Sequence, residues 1–115
     1  MAVKEMTPVK GELNKITPFA FEAATTASDG LQVKLPRTTD EYVVVMVQNT
    51  AASAKSFTVK KPSKGSYYAA AGDETHQLQA GEFAVFRFES AKWANNDGTM
   101  LFVPDDVAVK AAVLY

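Results

Sequence analysis

Residues Glu41-Tyr42-Val43-Val44-Val45-Met46-Val47-Gln48-Asn49 decide the fold of this chain. The centre of the stretch is an unbroken apolar run dominated by β-branched valine, closed by Gln48, Asn49 and Thr50. β-Branched side chains lose χ1 freedom in a helix but pack well on a pleated surface. The run is too short for a buried helix and is bounded by polar residues, so it reads as a strand. Alternation sends Val43, Val45 and Val47 to one face and Tyr42, Val44 and Met46 to the other. Two apolar faces both need cover, which places this strand at the centre of a sheet.

The rest of the chain supplies neighbours of the same kind. Phe19, Phe21 and Ala23 alternate with Ala20, Glu22 and Ala24, and Leu31, Val33 and Leu35 alternate with Gln32 and Lys34. Each set reads as a strand, and Asp29-Gly30 makes the turn between them. Ser56–Lys60 resumes the period-two pattern after a small polar turn, which sends Phe57 and Val59 to the core. Thr75–Gln79 is weakly apolar and suits a sheet edge, and a further strand is conceivable within Ser66–Ala70. Glu82–Glu89 is apolar on both faces and is the expected sheet partner of the central run, with Phe83, Val85, Phe86 and Phe88 in the core. Asn95-Asn96-Asp97-Gly98 is a strong turn signal. Met100–Val103 precedes Pro104, and Val107, Val109, Ala111 and Val113 alternate to the C-terminus. About eight short strands at this spacing predict an all-β, two-sheet sandwich with jelly-roll or immunoglobulin-like connections. No helical stripe persists over three turns, which disfavours βαβ architectures.

Two units follow: an N-terminal arm over residues 1–17 and a β-sandwich domain over 18–115. The arm carries two Thr-Pro pairs and Gly11, which oppose a continuous helix through Lys10–Ile16 or a central strand. Its apolar residues Val3, Met6, Val9, Leu13 and Ile16 are too many for a solvated tail and are expected to meet a neighbouring subunit or another protein. The competing reading folds the arm back as an added edge strand.

Composition narrows the function classes. With 115 residues the chain is large enough for one core without staples. A formal net charge of -1 argues against a nucleic-acid partner, and the lysines of Lys55–Lys64 suit a solvated hairpin. There is no cysteine, so disulfides and cysteine zinc sites are excluded. No segment has the apolar length of a signal peptide or a membrane span, so no membrane partner is expected. His76 is the only histidine and lies in a polar Thr-His-Gln context, which reads as a surface residue on an edge strand rather than a catalytic base. Asp97, Asp105 and Asp106 offer oxygen ligands, but their spacing is that of turns and not of a calcium loop. No cofactor motif and no paired-carboxylate site is present, so the expectation is a protein without enzymatic activity or cofactor. Tyr67, Tyr68 and Trp93 remain as amphipathic aromatics. They suit a protein interface or a sugar-stacking platform, and Trp93 also suits a plug at the end of the sandwich.

From Asp29 onward the order of features resembles a family of small phage and prophage virion proteins. The shared pattern is the valine-rich strand ending in Asn (Tyr42–Asn49), a Ser/Ala turn, a Thr-Val strand and Gly72-Asp73. It continues with Leu78-Gln79-Ala80-Gly81-Glu82, an aromatic strand into Phe88–Trp93, the Asn-Asp-Gly turn and a final Val/Ala strand. The resemblance implies a capsid decoration (cement) protein on the virion surface, made in the host cytoplasm and oligomeric, with the major capsid protein as its partner. It transfers no site residues, since the shared positions are structural. A carbohydrate-binding or fibre module using the exposed aromatics is the alternative. A module of that kind is usually linked into a longer chain, and a start at Met with a strand at the end favours a stand-alone protein.

Replacing Val45 by Asp should put an unpaired charge into the core at a cost of several kcal/mol, on the order of 3–5. A thermal melt of that variant within a few degrees of wild type would contradict the central-strand assignment.

Overall fold

A computed structural model describes residues 3–63 and 72–115. In chain order the elements are β1 (Lys4–Met6), β2 (Leu31–Lys34), β3 (Val44–Asn49), β4 (Lys55–Val59), β5 (Glu74–Leu78) and β6 (Phe83–Phe86). A one-turn helix α1 (Ser90–Trp93), β7 (Thr99–Pro104) and β8 (Val109–Leu114) complete the chain. The strands form a five-stranded sheet in the order β1-β2-β7-β4-β5 and a three-stranded sheet in the order β6-β3-β8. The architecture is an all-β two-sheet sandwich. From β2 onward the chain changes sheet at every connection but one, β4 to β5. Among these strands all pairings are antiparallel except β1 with β2.

The valine run is the centre of the smaller sheet. Val45 lies between Phe86 and Val113, and Val47 between Ala84 and Ala111. Val43, Val45 and Val47 are buried, and their inward faces meet a larger sheet that contributes Leu31, Val33, Phe57, Val59, Met100 and Phe102. Phe57 and Phe102 stack at 5.6 Å between ring centroids. Large rings on one sheet against small aliphatics on the other is how two sheets fill the space between them. One end is closed by aromatic packing, with Phe86 at 6.2 Å from Phe88 and 5.7 Å from Trp93.

Asn49 ends β3 as a fully buried polar residue. Its amide Nδ2 donates to the carbonyls of Ser53, Leu78 and Gln79 at 3.0, 3.0 and 3.1 Å, and its Oδ1 accepts from Ala51 N at 2.9 Å. Its own backbone exchanges bonds with the next turn, Asn49 N to Glu82 O and Gly81 N to Asn49 O. Gly30 has φ 80° where the chain enters β2, and a Cβ there would lie 2.6 Å from the Phe102 carbonyl oxygen. A side chain is excluded on both counts.

Several sequence expectations are corrected. Residues 19–24 do not form a strand: only Glu22 bridges, to Ala111. The rest of that β8 edge is already taken, since Val9 N donates to Val113 O, Tyr115 N to Val9 O and Gly11 N to Tyr115 O. The first strand comes instead from the arm, as β1 parallel to β2, and the crossover that a parallel pair requires is residues 7–30. The boundary at residue 17 therefore does not separate an arm from the sandwich. Phe83 and Val85 are 58% and 63% exposed rather than core, because they point outward from the edge strand β6. Phe86 packs against the core and Phe88 is buried. Tyr42 sits in a 3-10 turn over Asp40–Tyr42 and is exposed, and Val107 is exposed ahead of β8. The strand envisaged in Ser66–Ala70 lies outside the described residues.

Asn49→Ala removes the buried amide that donates to three carbonyls and should cost about 3 kcal/mol. Asn49→Asp keeps the shape but aims a carboxylate at the same oxygens, and should cost more. Urea midpoints in the order wild type, Ala, Asp test this; an Asp variant as stable as wild type would refute the role.

Candidate interaction surfaces

Of the eight residues singled out from sequence, the six that are described do not converge on one site. Val3 is half-buried, and Met6 is a core residue at 4% exposure, held there by β1. Val9 is half-buried and pairs with the end of β8. Met6 is thus unavailable to a partner. Trp93 is 6% exposed, edge-on to Phe86, with the Lys92 ammonium 5.2 Å from its ring centroid. It fills the place of the plug, and its ring is covered by its own chain rather than presented to a partner or a sugar. Tyr67 and Tyr68 lie outside the described residues.

Leu13 and Ile16 are the exposed pair, at 88% and 98%. The loop that carries them is built by its own bonds. Glu12 N donates to Thr17 Oγ1 and Lys15 N to Glu12 O, both at 3.3 Å. A Glu12–Lys15 ion pair spans 3.5 Å, and Asn14 takes φ 62°, a left-handed conformation that asparagine tolerates. Gly11 N on the Tyr115 carbonyl at 2.7 Å anchors the loop to the end of β8. The two apolar side chains are therefore presented by a turn with defined hydrogen bonding.

Beside this loop a shallow depression of about 310 Å³ is lined by Val9, Thr17, Phe19, Tyr42, Val44 and Leu114, among others. From Phe19 an aromatic path runs across the outer face of the smaller sheet: Phe19 to Phe21 at 5.6 Å, Phe21 to Phe83 at 6.1 Å. Glu22 is pinned to β8 while Phe21 reaches β6, so this segment crosses the sheet and accounts for the 3% exposure of outward-facing Ala112. Cover stops there. Phe83, Val85, Tyr42, Phe19, Leu13 and Ile16 are the exposed large hydrophobics of this region. Sequence reasoning missed Phe83, Val85 and Tyr42 because a doubly apolar strand reads the same whether its second face is closed by its own chain or left open.

The polar groups are mostly engaged in structure. His76 is exposed on β5. Asp97 accepts from Thr99 Oγ1 at 2.7 Å and Thr99 N at 3.2 Å, and those bonds hold its carboxyl below the usual range. Asp106 Oδ1 accepts from Ala108 N at 2.9 Å and its carboxylate lies 3.7 Å from Lys55. Asp73 accepts from Lys61 N at 2.8 Å and Lys60 Nζ at 2.9 Å, which lowers its pKa in that order of cause. Its support of the β4–β5 hairpin is thus present above its ordinary pKa of 3.8 and lost as pH falls through the lowered value. Among the described residues no group of three or more His, Cys, Asp or Glu is placed to hold a metal ion. Among the described residues no helix is long and apolar enough to cross a membrane.

Leu13→Ser with Ile16→Ser should leave the melting midpoint within about 2 °C of wild type, as exposed sites do. Met6→Ala should cost about 2–4 kcal/mol. Calorimetry on the two variants separates the presented part of the arm from the part that belongs to the core; a large loss from the double serine variant would show the loop to be structural.

No protein-family model matches the chain, and no curated protein or solved structure matches it.

Proposed function

We propose that this is a non-enzymatic virion structural protein, a phage capsid decoration protein that adheres to the major capsid protein lattice and stabilises it. The observation that carries the reading is the presentation of Leu13 and Ile16, almost fully exposed, on a loop fixed by hydrogen bonds. Isolated exposed hydrophobics are ordinary on protein surfaces. A pair on a built loop, followed by Phe19, Tyr42, Phe83 and Val85 along one side, is an apolar strip of the kind that marks protein association. Aromatic and aliphatic anchors amid polar surroundings are also how interfaces concentrate their energy.

The order of strand and turn signatures from Asp29 to the C-terminus supports the same class through its resemblance to phage virion proteins. Self-association into an oligomer on the shell surface belongs to this proposal, with the strip divided between lattice and neighbouring copies. The carbohydrate-binding or fibre alternative is weakened by burial of Trp93, the ring best suited to sugar stacking.

The test is co-expression with the major capsid protein of the genome that encodes this chain, followed by gradient purification of the shells. The protein should co-sediment with shells, and Leu13→Asp with Ile16→Asp should lower its occupancy about tenfold or more, as the loss of a central anchor does. Absence of the wild-type protein from intact shells would overturn the proposal.

A further inference from the structure

The two sheets are unequal, and the mismatch lies on one side. The sandwich has four sheet edges. The β1 edge is three residues long and carries Lys4 and Glu5, and the β8 edge is capped by backbone bonds from Val9, Gly11 and Glu22. Short, charged or covered edges are how sheet proteins avoid unwanted pairing. Of the remaining two edges, β5 is polar, with exposed Glu74 and His76, while β6 carries no charge and no cap among the described residues. They flank a single cleft of about 250 Å³, with Val47, Phe57, Val59 and Leu78 in its floor and Ala84 and Phe86 on the β6 side.

The cleft lies where a fourth strand of the smaller sheet would run. Cross-strand partners share a face. His76 pairs with Phe57 and Glu74 with Val59, so both point to the inner side of the larger sheet, as Leu78 does. Yet Leu78 is 1% exposed while Glu74 and His76 are exposed, because nothing from the smaller sheet lies above them. Thr75 points the other way, its hydroxyl 2.9 Å from that of Thr58.

We propose that this cleft receives an extended peptide segment of a partner protein, added as a strand to the free edge of β6. Strand addition uses main-chain bonds for affinity and alternate side chains for selectivity. One inward side chain of the segment is apolar and fills the space over Phe57 and Leu78. The inward residue two positions away lies against Glu74, whose carboxylate has no partner among the described residues, and is basic. The β6 strand of a second copy, Phe83-Ala84-Val85-Phe86, carries no cation to set against Glu74. This surface is separate from the Leu13–Ile16 loop and does not rest on the capsid reading.

The test uses the full-length, isotopically labelled protein and two capped eight-residue probes, one alternating Val and Lys and one alternating Val and Glu. The Val-Lys probe should slow amide exchange in Phe83–Phe86 by about tenfold and shift resonances of β5 and β6. It should bind at least about threefold more tightly than the Val-Glu probe, and Glu74→Lys should reverse that preference. His76→Trp, which fills the cleft from an exposed position, should abolish binding while the rest of the spectrum stays folded. Absence of any effect on β6, equal binding of both probes, or undiminished binding to His76→Trp overturns the proposal. Concentration-dependent protection of β6 without a probe would assign the edge to a second copy and overturn it as well.

Discussion

A single side-chain amide holds together the end of this sandwich where the chain changes sheet most often. Asn49 is the only buried polar residue among the described ones, and it has no unpaired polar atom. Through Ser53, Leu78 and Gln79 it joins the end of β3 to the approach of β4 and the end of β5, and through Glu82 and Gly81 to the start of β6. Buried polar networks of this sort specify one arrangement, since any slip leaves desolvated groups without partners. The valine run can slide in principle, because its apolar pattern is nearly uniform. Asn49 gives it a unique register, and with it the registers of β6 and β8.

The second organising constraint is how the edges are closed. Parallel pairing of β1 with β2 obliges the chain to travel over residues 7–30 between them, and that journey caps β8 and lays Phe21 across the outer face of the smaller sheet. One segment thus supplies an edge strand, an edge cap and a partial third layer. It leaves two features unsatisfied: the loop with Leu13 and Ile16, and the β5–β6 side, where three strands face five. Both present apolar surface on elements fixed by backbone bonds, and surface of that kind marks a site of association.

Residue pattern alone sets the class of the fold, the central position of the valine run, its pairing with the aromatic strand, and the edge position of Thr75–Gln79. These are local properties: period-two alternation, β-branching and turn residues such as Asp29-Gly30 and Asn95–Gly98 act over a few residues and leave a readable pattern. Tertiary structure alone decided which apolar residues are core and which are surface. Met6 and Trp93 resemble Leu13 and Ile16 in hydrophobicity, yet the first pair is buried and the second is exposed. The difference comes from pairings made at long range: Met6 opposite Val33, and Trp93 on a helical turn against Phe86. Alternation places Phe83 and Val85 in the core because it reports only that a face is apolar. Whether another layer lies over that face depends on how many strands each sheet acquires, and strand count per sheet is set by crossovers between segments distant in the chain, for which no local residue pattern exists.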